Sequence, residues 1–190
     1  MSRRTYLAAA FLLLALPAAS EAQWGAAAGV RSVSGHSGAD GSEDRDGVEL
    51  RGQFYRTLSP RVTLRGEVTY TQMRTPAVDA AGRYTINENG FELGLTAHRP
   101  FAVALAQGYL LAGPVASFRA ACGVDSHFDP NGRVPCAGEA TSGLGLSGGV
   151  GVREFGGDDL EWAAELRLMR GTVAAAGGTL VSISVGVRRR

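Results

Sequence analysis

The sequence predicts an all-β fold: an eight-stranded antiparallel up-and-down transmembrane β-barrel, preceded by a signal peptide. Three observations support this fold class. Apolar and polar residues alternate with the strand period of two in eight segments of the chain. The links between those segments alternate between short and long. An apolar run near the N-terminus has the form of an export signal.

The N-terminal segment is predicted to be a secretory signal peptide. A basic pair at residues 3–4 precedes the apolar run Leu7–Leu16, which is too short to cross a bilayer as a helix. The small residues Ser20 and Ala22 place the cleavage site before Gln23. An uncleaved anchor is the alternative, and the short run disfavours it. The predicted boundaries are therefore 1–22 for the signal peptide and 23–190 for the barrel domain.

The charge of the exported chain excludes several partners. All 19 basic residues are arginine, and removing the signal peptide takes away Arg3, Arg4 and Glu21, which leaves 17 arginines and 17 acidic residues. A formally neutral chain has no basic surplus that would argue for nucleic acid or for anionic lipid headgroups as partners. No apolar run near 18 residues follows Gln23, so no transmembrane helix is predicted.

Four strands are predicted in the first half of the chain. In each of them apolar residues occupy every second position and polar residues the positions between. The first is the weakest, because its apolar phase contains several alanines. The strands span 23–33, 47–58, 61–73 and 83–97, and their apolar phases include Trp24, Val48, Val62 and Phe91, respectively.

Four more strands are predicted at 105–120, 139–155, 160–170 and 179–189. The first of these is apolar on both faces between Tyr109 and Phe118, so its phase stays open. Pro114 lies in its middle, where it removes a ladder donor, and we expect a bulge there. A helix over 158–170 is the alternative for the seventh segment, and its strict alternation favours a strand.

The connections predict a sidedness. Short links are expected at 59–60, 99–101 and 156–159, and longer links at 34–46, 74–82, 121–138 and 171–178. In an up-and-down barrel every second link lies at the same end, so one end carries tight turns and the other carries long loops. Outer-membrane barrels have this asymmetry, with short periplasmic turns and long external loops.

The polar phase of the strands carries a nearly balanced set of charges. On a soluble surface such balance has no special meaning, but inside a barrel an unpaired buried charge costs several kcal/mol. Eight strands leave room only for side chains or one small ligand, so a filled interior without a wide pore is predicted. The predicted interior charge network consists of Arg31, Glu49, Arg51, Arg65, Glu67, Glu92, Arg153, Glu161, Glu165, Arg167 and Arg188.

The signal peptide, the alternating links and the segment Gly108–Pro114 resemble the small eight-stranded outer-membrane β-barrel family, which includes the transmembrane domain of the outer membrane protein A type. The resemblance implies a non-enzymatic, porin-like monomer of the bacterial outer membrane with a role in envelope structure, surface interaction or adhesion. Its implied partners are outer-membrane lipid or lipopolysaccharide and a surface partner at the loops. The family usually ends on an aromatic residue, whereas this chain ends in three arginines, Arg188–Arg190.

The only two cysteines, Cys122 and Cys136, are predicted to form a disulfide that closes the third long link. A metal pair is the alternative, and it lacks further ligands at suitable spacing. No cofactor or metal site is predicted. The acidic loop with Asp40, Glu43, Asp44 and Asp46 is predicted to be solvated, because it lacks the terminal glutamate of a calcium loop. A divalent ion that bridges this loop to lipopolysaccharide is the alternative.

Two other function classes stay open. An outer-membrane lipid hydrolase or acyltransferase would need a base such as His36 or His127 beside a serine, but no GxSxG segment is present. A soluble periplasmic barrel that binds a small apolar ligand, as lipocalins do, would turn its apolar phase inward. Recovery from the soluble periplasm without detergent would favour that second class.

Overall fold

The computed structural model describes residues 23–34, 45–79, 82–103, 106–125, 142–155, 159–172 and 178–189. Eight β-strands form within these residues, and each pairs antiparallel with its neighbours in sequence. The strands are β1 (Gln23–Ser34), β2 (Arg45–Ser59), β3 (Val62–Asp79), β4 (Gly82–Val103), β5 (Ala106–Asp125), β6 (Ser142–Phe155), β7 (Leu160–Arg170) and β8 (Thr179–Arg189).

The sheet closes on itself because β1 pairs with β8 as well as with β2. Closure removes both sheet edges, so the paired strands satisfy one another's backbone groups where no water can reach them. The predicted fold class, an eight-stranded antiparallel up-and-down barrel, is confirmed. The alternative helix over 158–170 is excluded, since β7 covers Leu160–Arg170. In the described part of the chain, no helix is long and apolar enough to cross a membrane.

The outward positions of the strands form an apolar belt. Trp24, Leu50, Leu146 and Val185 point out of the barrel and are 61%, 61%, 70% and 57% exposed, respectively. A continuous exposed surface of this kind suits acyl chains and not water. The polar phase points inward, as in a transmembrane barrel. This orientation excludes a soluble barrel with an apolar lumen.

Polar outward residues mark the limits of the belt. Asp46 and Arg56 enclose nine residues of β2, and Ser142 and Glu154 enclose eleven residues of β6. A tilted strand needs about 9–11 residues to cross a membrane. We call the end where β2 is linked to β3, β4 to β5 and β6 to β7 the lower end, and the opposite end the upper end.

Aromatic side chains lie at both limits of the belt. Trp24 contacts Phe54 near the lower limit, with ring centroids 5.9 Å apart, and Tyr70 contacts Phe91 near the upper limit at 5.5 Å. The Phe54 ring lies over Gly66, where a Cβ atom would be only 1.8 Å from the ring. The aromatic ring thus covers backbone that glycine leaves bare on the lipid face.

The strands have unequal heights above the belt. The predicted long link at 74–82 is wrong, because β3 and β4 stay paired up to Asp79 opposite Gly82. The third link starts later than predicted as well, because β5 continues to Asp125 opposite Thr85. Thr75, Val78 and Ile86 are good strand formers, and each extension pairs with its neighbour, so the hairpin continues beyond the membrane. We call the paired segments 72–79, 82–89 and 119–125 the projecting sheet.

The bulge predicted at Pro114 is also misplaced. Gly94 pairs with Val115 and Ala97 with Ala112, so the register is the same on both sides of the proline. Pro114 leaves a gap in the ladder with β4 but keeps its partner Leu146 on β6. The register shift between β4 and β5 lies higher, at residues 89–90.

Candidate functional site: the interior of the barrel

Eight charged side chains fill the middle of the lumen, and we name them the central cluster. None of these side chains is more than 4% exposed. Four are arginines and four are glutamates, so their formal charges cancel. Buried ions are tolerated only when they are paired and hydrogen-bonded. The central cluster consists of Arg31, Glu49, Arg51, Arg65, Glu67, Glu92, Glu165 and Arg167.

Glu165 on β7 contacts side chains of three other strands. Its Oε1 accepts a hydrogen bond from Arg51 Nη1 at 2.7 Å, and its Oε2 accepts one from Arg65 Nη1 at 2.6 Å. The Tyr109 hydroxyl donates to Oε2 at 3.0 Å, and Arg167 Nε lies 3.5 Å from Oε1. One carboxylate therefore connects β2, β3, β5 and β7 across the lumen.

Glu67 on β3 occupies space that a glycine leaves open. Arg167 Nη2 lies 2.7 Å from Glu67 Oε1, and Arg65 Nε lies 3.2 Å from Oε2. A Cβ atom on Gly94 would be only 2.6 Å from Glu67 Oε1. Small residues beside long ones let a narrow barrel accommodate its contents, and Gly94 does so here for an ion pair.

Arg31 completes the cluster on the other side of the lumen. Its Nε donates to Glu49 Oε2 at 2.6 Å, and its Nη1 donates to Glu92 Oε1 at 3.0 Å. Glu49 also accepts a hydrogen bond from Ser182 Oγ at 2.8 Å and pairs with Arg51. These contacts connect β1, β2, β4 and β8, so the central cluster spans most of the circumference.

The other three predicted interior charges form a separate group, the lower cluster. Arg188 Nη2 lies 2.7 Å from Glu161 Oε2, and Arg153 Nη1 lies 3.6 Å from Glu161 Oε1. The Arg153 and Arg188 side chains are 15% and 12% exposed, respectively. Arg188 also lies over the ring of Tyr55, 4.6 Å from its centroid. The lower cluster carries one more positive than negative charge and faces the lower opening.

An aromatic layer separates the two clusters. His98 stacks on Tyr109 with ring centroids 4.9 Å apart, and Tyr55 contacts the histidine edge-on at 6.1 Å. The Nε2 atom of His98 lies 3.2 Å from Thr96 Oγ1, and Thr96 pairs with Arg65 in the sheet. His98 is 5% exposed and Thr96 is fully buried. This layer closes the central cluster from below.

An apolar layer closes the central cluster from above. Val33, Met73, Met169 and Leu180 pack together there, and each is at most 1% exposed. Beyond them Glu88 pairs with Arg119 at 2.9 Å and with Arg45. We name Arg45, Glu88 and Arg119 the upper cluster.

Sequence reasoning missed the upper cluster. Arg45 precedes the predicted start of its strand, and Arg119 belongs to the strand whose phase stayed open. Glu88 could have been found, since it lies four residues before Glu92 on the same phase of β4. All three residues are near the mouth, where strand ends are hard to place from the pattern.

One cavity lies beside the upper cluster, near the bulge. Its volume is about 20 Å³, and it is lined by Thr71, Met73, Glu92 and Ser117 among others. That volume holds about one water molecule. Across the described strands, no group of three or more histidine, cysteine or acidic side chains is placed to hold a metal ion. The paired interior charges can therefore brace the wall, and this cavity is too small for a solute larger than water.

Several predicted features lie outside the described residues. The signal peptide and its cleavage site do so, as do His36, His127 and Cys136. Cys122 is on β5 opposite Glu88, but its side chain is among the undescribed ones. The disulfide and the acidic loop remain predictions.

The comparisons with known proteins show the fold. No protein-family model matches the sequence, and no curated protein matches it. Among solved structures, Neisserial surface protein A is 17% identical with a TM-score of 0.52, covering 88% of this chain and 95% of that chain. The outer membrane protein OprG from Pseudomonas aeruginosa is 11% identical with a TM-score of 0.50, covering 88% of this chain and 90% of that chain.

These likenesses agree with the geometry. The resemblance to small eight-stranded outer-membrane barrels is confirmed at the level of the fold. A closed eight-stranded barrel with an apolar belt, aromatic residues at both limits and a polar interior is an outer-membrane architecture. The predicted location in the bacterial outer membrane is therefore confirmed by the fold of the chain and its lipid-facing surface.

Proposed function

We propose that this chain is a non-enzymatic outer-membrane barrel that acts through the surface it presents above the membrane. The observation that carries the proposal is the central cluster, whose eight charged side chains fill the lumen between two closing layers. A barrel filled in this way provides a rigid support and no passage. Its upper surface is left as the part that can contact lipopolysaccharide or a partner.

The projecting sheet supports a surface role. Its strands extend about eight residues above the belt, which is about 25 Å of extended chain. Outward polar residues begin at Gln72 and Asn89, directly after the aromatic pair Tyr70 and Phe91. The projecting sheet therefore lies at the level of lipopolysaccharide sugars and external solvent, where a contact with either can form.

The position of His98 disfavours this histidine as the base of a lipid hydrolase. A lipid hydrolase needs a base beside a nucleophile at a place that lipid can reach. His98 is close to a hydroxyl, that of Thr96, but both residues are inside the barrel below the central cluster. Within the described strands, no histidine faces the lipid.

Liposome swelling tests the interior. The folded protein is reconstituted and challenged with small sugars and amino acids, and we expect swelling no faster than in protein-free vesicles. Heat-modifiable gel mobility verifies folding in the same samples. Swelling faster than this background would contradict the proposal that the central cluster blocks the lumen, and it would favour a pore.

Lipid analysis tests the catalytic alternative. Purified protein is incubated with lipid A and phospholipid, and no hydrolysis or acyl transfer is expected. Turnover that disappears in His36→Ala or His127→Ala would overturn the non-enzymatic proposal.

A shortened hairpin tests the surface role. Replacing residues 75–86 with Asn-Gly keeps Arg74 opposite Asn87 and joins them by a two-residue turn of the favoured type. We expect normal heat-modifiable mobility and loss of binding to lipopolysaccharide-coated surfaces or host cells. Pro60→Ala in the opposite turn is the matched control and should bind normally. Unchanged binding by the shortened variant would contradict a role for the projecting sheet.

A further inference from the structure

The lower limit of the belt carries exposed arginines that the interior network does not use. Arg56, Arg99 and Arg189 point outward from β2, β4 and β8, and Arg61 lies in the turn between β2 and β3. All four residues are exposed, and none forms a side-chain ion pair with a described residue. We name these four residues the basic rim.

The basic rim occupies one sector of the circumference. Following the strand order of the closed barrel, its residues lie on β8, β2, the β2–β3 turn and β4, with β1 between the first two. The exposed acidic residues of the described lower end, Glu154 and Asp159, lie on β6 and just before β7. The lower limit of the belt is thus positive from β8 through β1 to β4 and negative at β6 and β7, and Arg189 lies at the border between the two parts.

The position of the arginines relative to the belt defines their partner. Arg56 follows Phe54 on the outward phase of β2, and Arg99 follows Ala97 on that of β4. Exposed Leu58 and Phe101 follow on the same outward phases, so each arginine lies at the edge of the apolar surface. A guanidinium there reaches the depth of lipid phosphates, while its stem stays along the acyl chains. Arginine binds phosphate through two parallel hydrogen bonds.

We propose that the basic rim binds the anionic phospholipid head groups of the leaflet at the lower end. The lower end carries the tight turns, which face the periplasm in outer-membrane barrels, so this leaflet is the phospholipid one. The inference goes beyond the proposed surface function, since it concerns the opposite end of the barrel. It also accounts for Arg189, which lies in the arginine-rich C-terminal segment that departs from the family pattern.

The two tryptophans of the chain are natural reporters for this site. Both point outward near the lower limit of the belt, Trp24 on β1 at 61% exposure and Trp162 on β7 at 51%. Trp24 lies between the strands of Arg189 and Arg56, opposite Phe54. Trp162 instead lies between β6 and β8, with Glu154 opposite it on β6. Trp24 therefore has a strand with a rim arginine on each side, whereas Trp162 has one on its β8 side only.

Quenching by brominated lipids measures the lipid composition beside each reporter. In Trp162→Phe, Trp24 is the single reporter. The relative binding constant that its quenching gives should be about fivefold higher for brominated phosphatidylglycerol than for brominated phosphatidylcholine. About fivefold is the effect expected for one arginine near an anionic surface. In Trp24→Phe, the remaining Trp162 should report a smaller preference. Raising the salt concentration should reduce the preference at Trp24, because the attraction is electrostatic.

Substitution of the arginines assigns the preference to the rim. We replace three rim arginines together in the Trp162→Phe background, as Arg56→Gln, Arg99→Gln and Arg189→Gln. The ratio of the binding constants of the two lipids at Trp24 should then fall close to one. The matched control replaces Arg74 and Arg170 with glutamine. Both are exposed outward arginines at the upper end, and their replacement should leave the ratio unchanged.

Three results would overturn the proposal. They are equal quenching by both lipids at Trp24, an equal preference at both tryptophans, and an equal loss of preference in the upper control. Heat-modifiable mobility verifies that every variant is folded. A folded barrel without lipid preference would contradict the basic rim and leave the proposed surface function standing.

Discussion

The central cluster and the lower cluster are built from the same two residue types, yet they occupy different environments. The central cluster is neutral, at most 4% exposed and closed on both sides by uncharged layers. The lower cluster has one unmatched positive charge, and its arginines are 12–15% exposed. An exact balance of charge is thus found where water is absent, and an imbalance is found where water can reach the side chains.

This difference follows from the cost of leaving a charge unpaired. Deep in the lumen, removing one partner leaves an uncompensated ion, at a cost of about 3–5 kcal/mol. Near an opening, solvent replaces the lost partner, and an exposed pair contributes about 0–1 kcal/mol. Substitutions in the two clusters should therefore have effects of very different size.

The largest effect is expected for Glu165→Gln in the central cluster. The amide keeps the shape of the side chain but removes the charge that pairs with Arg51 and Arg65 at 2.7 and 2.6 Å. We expect a loss of about 3–5 kcal/mol in the free energy of unfolding. Urea unfolding in phospholipid vesicles, followed by gel mobility, measures it. A loss below about 1 kcal/mol would show that the central cluster tolerates an unpaired charge.

A charge on the outside tests the same rule on the lipid face. Val150→Arg places an arginine near the middle of the belt on β6, opposite Leu110 and Leu166. No counter-charge is available there, so we expect a loss of about 2–4 kcal/mol. Gln72→Arg at the upper limit of the belt is the control and should cost about 0–1 kcal/mol. Equal losses at both positions would contradict the position assigned to the belt.

A smaller effect is expected when the space beside Glu67 is filled. Gly94→Ala would place a Cβ atom 2.6 Å from Glu67 Oε1, and the carboxylate is held by Arg167. We expect a loss of about 1–3 kcal/mol from overpacking. The control Gly52→Ala meets only the Val68 carbonyl oxygen at 4.0 Å, so it should be neutral or slightly stabilising. The same urea titration compares the two, and equal stability would show that the ion pair shifts freely.

The smallest effect is expected for Arg153→Gln in the lower cluster. Glu161 keeps Arg188 at 2.7 Å, and the lost contact with Arg153 spans 3.6 Å. We expect a change of about 0–1 kcal/mol in unfolding free energy. A loss as large as that of Glu165→Gln would remove the distinction between the two clusters.

Strand positions were predicted best where the alternation is strict. The seventh and eighth strands match their predicted bounds, 160–170 and 179–189, because turn residues flank an uninterrupted period of two. The upward extension of β3 and β4 was not predicted, since Pro76 and several alanines weaken the alternating pattern at 74–82. Pairing with a neighbouring strand keeps that segment extended, and such pairing cannot be read from one segment alone.

In the interior, the sequence likewise predicted which residues face the lumen but not which of them form pairs. The phase of β2 and β7 places Glu49, Arg51, Glu165 and Arg167 on one face, and the structure shows that face turned to the lumen. The ion-pair partners of these residues could not be predicted. Arg51 and Glu165 are 114 residues apart in sequence, and no local spacing indicates that they meet.

The sequence alone determined the number of strands, the face that every strand except β5 presents to lipid, and the end that carries most of the short links. Those properties depend on local alternation and on turn residues, which act over a few positions. Only the tertiary structure decided which arginine meets which glutamate, where the charge balances, and that β3, β4 and β5 rise above the membrane. Closure of the sheet between β1 and β8 brings distant strands across one narrow lumen, so these properties belong to the barrel as a whole.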